Sequence, residues 1–136
     1  MEDCIFCKIV AGAIPAARVY EDADVLAFLD IHPVRTGHTL VIPKAHVPEF
    51  QNIEDDAYDA VMRTAKRVAT ALRATTAAQR VGLAVVGFDV AHAHIHVIPL
   101  HDTDDISSKR KLDGELGNPT PEELTVIAEE LRHLLS

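Results

Sequence analysis

The spacing of apolar residues changes along the chain, and each change predicts an element. Cys4-Ile5-Phe6-Cys7-Lys8-Ile9-Val10 predicts a short helix or turn, ended by Gly12 and the Ile14-Pro15 pair. Arg18–Glu21 and Val25–Leu29 read as strands, and the acidic turn Asp22-Ala23-Asp24 between them predicts a hairpin. Pro33 and Thr36-Gly37 mark a loop leading into a third β-rich run, His38–Ile42. From Asn52 the period becomes helical, with Val61, Ala65, Val68 and Leu72 at i, i+4, i+7 and i+11. Glu54, Asp55 and Asp56 fall in the first turn of that helix, and Arg63, Lys66, Arg67 and Arg73 come later, as the macrodipole favours. Val81–Val86, bounded by Gly87, and a stretch from about Ala91 to Leu100 predict two more strands. His101–Pro119 is polar and reads as a loop of unusual length, the kind that often carries function. Thr120-Pro121-Glu122-Glu123 is a capping box with Pro at the first helical position. Leu124, Ile127, Ala128, Leu131 and Leu135 then mark the apolar face of a final helix. The fold class expected is α+β: an antiparallel sheet of about five strands, one long inserted helix and a C-terminal helix.

Composition narrows the class. The 136 residues are expected to form one domain, 1–136, with a core over about 4–100 and a C-terminal loop and helix over 101–136. With 48% hydrophobic and 25% charged residues, disorder and collagen-like repeats are excluded. No apolar run approaches the ~20 residues needed to cross a bilayer. Met1-Glu2-Asp3-Cys4 lacks the basic flank and apolar stretch of a secretion signal, so a cytoplasmic protein without a membrane partner is expected. A net charge of −8 argues against nucleic acid as a partner, because that binding is driven by phosphate neutralisation. A small phosphate-bearing ligand stays compatible, since a pocket can be locally positive on an acidic chain. Cys4 and Cys7 form one C-x-x-C, which in a reducing compartment suggests metal or redox chemistry more than a structural disulfide.

The chemistry concentrates in His92-Ala93-His94-Ile95-His96-Val97-Ile98-Pro99. In a strand, alternate residues share a face, so His92, His94 and His96 would line one side, roughly 6.6–6.8 Å apart in turn. Aliphatic side chains would fill such a face without needing hydrogen-bond partners, so three imidazoles call for a function. Two chemistries can use them. Neutral imidazole is a nucleophile toward phosphorus and imidazolium a donor to phosphate oxygens, or the row can ligate a metal together with other side chains.

The segment resembles the signature of the histidine triad (HIT) family, His-x-His-x-His followed by two apolar residues. Three further blocks are similar in the family's order: Cys4–Ile9 with Ile14-Pro15, Val25–Asp30 with Pro33, and Gly37–Lys44 with His46. The resemblance implies a HIT-like fold and a hydrolase or transferase that cleaves nucleoside phosphoramidates or (di)nucleoside polyphosphates at the α-phosphate. It implies His94 as nucleophile, forming a nucleotidyl-histidine that water resolves, and His96 against the phosphate oxygens. His38 would support the triad or the phosphate, Asp30 the ribose hydroxyls, and Phe6, Phe28 and Ile31 the walls around a purine base. It further implies a homodimer formed across the long helix and a sheet edge.

Zinc is the second chemistry. Cys4 and Cys7 with two imidazoles would complete a closed, structural Cys₂His₂ site, and the resemblance points to His46 and His92 as those imidazoles. The chain departs from the family where many members have Gly-Gln-Ser/Glu-Val before the triad; here it reads Gly87-Phe88-Asp89-Val90. Phe88 cannot donate a hydrogen bond, and Asp89, expected beside the phosphate, would repel it unless turned away or protonated. Val81 and Leu83 also stand where relatives often carry polar residues. Two rival readings follow: a non-catalytic nucleotide-binding regulatory protein with a degenerate phosphate site, and a hydrolase in which zinc is catalytic. The Lys109-Arg110-Lys111 cluster reads as solvated surface or as cations closing over phosphate.

Overall fold

The structure, a computed structural model, describes residues 3–136. Met1 and Glu2, on which the expectation of a start without a leader partly rests, lie outside the described residues. A short helix α1 (Ile5–Val10) leads into strands β1 (Arg18–Glu21), β2 (Val25–Leu29) and β3 (Thr39–Pro43), the long helix α2 (Asp55–Thr75), and strands β4 (Arg80–Ala84) and β5 (Ile95–Leu100). A one-turn helix α3 (Lys109–Leu112) and the closing helix α4 (Pro121–Leu135) complete the chain. The strands form one antiparallel sheet in the order β1-β2-β3-β5-β4. This is the α+β architecture the sequence implies.

Both faces of the central strands are covered, and the period of two shows how. On β2, Val25, Ala27 and Leu29 enter the larger core with Val61, Ala65, Val68 and Leu72 of α2 and Leu124, Ala128, Leu131 and Leu135 of α4. Leu26 and Phe28 point the other way and meet Phe6 and Ile9 of α1, with Leu40 and Ile42 of β3. Thr120 and Glu123 make the reciprocal capping box predicted for α4. Gly37, at φ +99°, turns the chain into β3. A Cβ there would lie 2.8 Å from Leu72 Cδ2, so glycine makes this positive-φ turn before His38 without pushing the buried Leu72 side chain aside.

Three departures from expectation bear on the site. β5 begins at Ile95 rather than Ala91, so His92 and His94 precede the strand and only His96 lies on it. The next pair would be Ile42 with His94, but there the chain is drawn aside: the Ala93 N–H donates to the Val47 carbonyl at 2.7 Å, and the His92 ring donates to the Pro43 carbonyl at 2.8 Å. β4 ends at Ala84, two residues early. The segment 101–119 is not featureless: it holds a 3-10 turn at Thr103–Asp105 and the helix α3.

Candidate active site and metal centre

Three stretches distant in sequence bring four ligand atoms together. Cys4 caps α1, and its Sγ accepts from the Cys7 N–H at 3.4 Å. His46 follows β3, and His92 follows the β4–β5 loop. Cys4 Sγ lies 3.4 Å from His92 Nδ1, Cys7 Sγ lies 3.6 Å from the same atom, and Cys7 Sγ lies 3.2 Å from His46 Nδ1. The four atoms fall within 4.8 Å of one another. In a tetrahedral zinc site the sulfur–nitrogen edges come to about 3.5 Å from the usual bond lengths, so the donors fit that ion in both chemistry and spacing. His92 is fully buried, and donating Nε2–H to the Pro43 carbonyl leaves its Nδ1 lone pair facing the sulfurs. The four residues expected as metal ligands are therefore together.

The other two triad histidines belong to a separate arrangement. His94 Nδ1 lies 2.7 Å from the His92 carbonyl and can only donate to it, so the proton sits on Nδ1 and Nε2 carries the free lone pair. The Val34 N–H donates to His38 Nδ1 at 3.1 Å, which places the His38 proton on Nε2. That N–H donates to His96 Nδ1 at 2.9 Å, so the His96 proton is on Nε2. One backbone amide thus sets two tautomers in series. Burial lowers both His38 and His96 to about 4, and the neighbouring imidazoles add to the effect, so both rings are neutral near pH 7. Asp30 Oδ2 stands 3.6 Å from His38 Nε2, and burial raises the pKa of this carboxyl. Asp30, His38 and His96 are close enough to hold a cation. A metal on His38 Nε2 would force its proton onto Nδ1, against the Val34 N–H, so Val34, His38 and His96 form the hydrogen-bond chain and Asp30 stands beside it.

Phe6 stands edge-on to His94 with centroids 5.1 Å apart, and edge-on to His92 and Phe28 as well. It is the surface against which the catalytic-candidate ring and the metal cluster both rest. His94 and His96 are in contact, with centroids 4.9 Å apart. His96 lines a cavity of about 270 Å³ together with Asp30, His38 and Asp89. His94 lines a second one of about 440 Å³, between residues 48–51 and 85–93. The two rings therefore join the cavities. Phe28 lies in the core behind the site, and Ile31 is exposed.

Sequence reasoning missed the wall of the first cavity. Asp105 is buried and accepts from the His101 and Asp102 amides, from Arg35 Nε at 2.9 Å and from Arg110 Nε. Hydrogen bonds from these partners hold its pKa down to about 2 against the cost of burial. The end of the segment is tied by Gly117 N–H to the Pro33 carbonyl at 2.8 Å. Both ties reach the β2–β3 loop, so residues 106–116 strap the cavity. The capping pattern Asp102-x-x-Asp105 was a readable signal. Lys111 Nζ on the strap pairs with Asp89 Oδ2 at 2.7 Å, and this bond lowers the Asp89 pKa.

The HIT domain model matches residues 11–103, and the chain belongs to the HIT family. It is 41% identical to an uncharacterized HIT-like protein of Borreliella burgdorferi over 81% of this chain and 84% of that one. It is 34% identical to the adenylylsulfatase HINT3 of Arabidopsis thaliana, over 75% of this chain and 54% of that protein. The solved structure of a Zn-bound histidine triad family protein from Mycobacterium smegmatis matches with a TM-score of 0.79 and 31% identity, over 98% of this chain and 94% of that one. Among the described residues, no helix is long and apolar enough to cross a membrane.

Proposed function

We propose that this protein binds a purine nucleotide or nucleoside phosphate and cleaves phosphoramidates or (di)nucleoside polyphosphates at the α-phosphorus, through a covalent intermediate on His94. The observation that carries the reading is the pair of fixed tautomers: a lone pair on His94 Nε2 beside a proton on His96 Nε2. The first atom can bond to phosphorus while the leaving group departs with the P–X bonding pair. The second can donate to a phosphate oxygen as its charge grows. Water then displaces His94, releasing the nucleoside monophosphate and a proton. Asp30 at the cavity wall is suited to ribose hydroxyls, with the exposed Ile31 next to it on the base side and Phe6 and Phe28 packed behind as support. The second cavity, which His94 lines, gives the leaving group an exit opposite the nucleotide. The adenylylsulfatase relative agrees with chemistry at a nucleotide phosphate. Bound by Cys4, Cys7, His46 and His92, zinc would be structural, because all four positions are filled by protein. The protein would act as a homodimer in the cytoplasm.

A panel of adenosine phosphoramidate, dinucleoside polyphosphates and nucleotide sugars tests the activity. His94→Ala should lose turnover by about a thousandfold or more while keeping AMP affinity, and rapid quench of the wild type should trap one nucleotidyl group per chain. Wild-type turnover in His94→Ala would end the assignment. AMP binding without turnover of any panel member would favour a regulatory nucleotide-binding protein, the reading that Phe88 and Asp89 invite.

A further inference from the structure

The first cavity has an unusual charge balance. Asp30, Asp89 and Asp105 all line it, and the one Lys or Arg among its lining residues is Lys111. Arg35 and Arg110 are held away by Asp102 and Asp105. An anionic phosphate brought to His96 therefore meets carboxylates and imidazoles, and its electrostatic partner must come from the strap. We propose that Lys111 is the phosphate-binding cation of this site and a determinant of its preference for anionic substrates, with Asp89 holding its ammonium at the rim until the substrate takes over the contact.

This inference rests on the nucleotide-cleaving reading above. Three features support it. The neutrality of His38 and His96 near pH 7 leaves Lys111 as the one Lys or Arg among the described residues lining the cavity, with His32 the third imidazole there. The Lys111–Asp89 pair is more than half exposed on both sides, and such pairs contribute little to stability, so exchanging carboxylate for phosphate has a low cost. The strap is anchored at Asp105 and at Gly117, and the four-carbon stem of Lys111 can swing its ammonium without breaking either anchor. Asp89, which alone would repel the substrate, is the carboxylate that the substrate phosphate displaces from Lys111.

The test is calorimetry of AMP against adenosine, and of GMP against guanosine, on the full chain. Lys111→Gln should weaken nucleotide binding by roughly tenfold or more and leave nucleoside binding and the melting temperature unchanged. Lys111→Arg should retain most of the nucleotide preference. Asp89→Asn should bind nucleotide at least as tightly as wild type, because it removes a repelling charge. Equal losses in Asp89→Asn and Lys111→Gln would show a mere structural latch and overturn the assignment. So would unchanged AMP affinity in Lys111→Gln, with the nucleotide reading left standing. A wild-type protein that binds none of these ligands would overturn both.

Discussion

At the scale of single residues, the His38–His96 pair makes stability depend on pH with a definite sign. Both rings titrate at about 4 when folded, against an ordinary value of 6.5, chiefly because burial disfavours their charged forms. As pH falls below about 6.5 the unfolded chain binds protons that the folded chain refuses. Stability is then lost down to about pH 4, at up to about 1.4 kcal/mol per pH unit for each imidazole. Below that both states are protonated and the loss levels off. Urea unfolding between pH 7.5 and 4.5 should follow this slope, and His96→Asn should make it shallower. An identical slope in the variant would mean that these rings are not the responsible groups. The residues of the pair were legible singly, His96 from the triad and His38 from its resemblance block. Their bond joins positions 58 apart, and the tautomers depend on the Val34 backbone amide, to which no side-chain pattern points.

At the scale of elements, the helices were the most legible, because a period of 3.6 carried over several turns in α2 and α4 has few competing readings. The start of β5 was not. Its apolar and histidine alternation runs past the point where pairing stops, and residues 92–93 bond instead to the Pro43 and Val47 carbonyls, beyond the part of β3 that pairs with β5. The strap was read as a loop because its order comes from ion pairs to the β2–β3 loop, not from apolar periodicity. β4 carries the prediction at this scale. It is an outer strand of the sheet, and Leu83, Val85, Val86 and Phe88 on it and just beyond are exposed, Phe88 at 92%. Unpaired edge groups flanked by apolar side chains favour pairing with a second copy about a two-fold axis. Light scattering should give twice the 14.8 kDa chain mass, and Val86→Asp with Phe88→Asp should give a monomer. A wild-type monomer at tens of micromolar would remove the dimer from the proposal.

At the scale of the whole molecule, the candidate metal cluster brings together three stretches distant in sequence. Cys4 and Cys7 belong to α1, His46 to the chain leaving β3, and His92 to the stretch entering β5; α1 otherwise holds to the sheet through the small core of Phe6 and Ile9. An ion there would fix Phe6 against His94, so its removal should act on fold and activity together. One zinc per chain is expected by elemental analysis of the purified protein, falling to none in Cys4→Ser/Cys7→Ser. Chelation should lower the melting temperature, and turnover should fail in step with loss of structure around α1, because ligand binding of this kind is linked to folding. If chelation instead abolished turnover while circular dichroism and melting stayed unchanged, the ion would be catalytic and His94 would lose its role as nucleophile. The two outcomes separate because all four candidate ligands are protein atoms. A closed coordination shell leaves no position for substrate, and such an ion can influence the reaction only by holding the histidines that surround it in place.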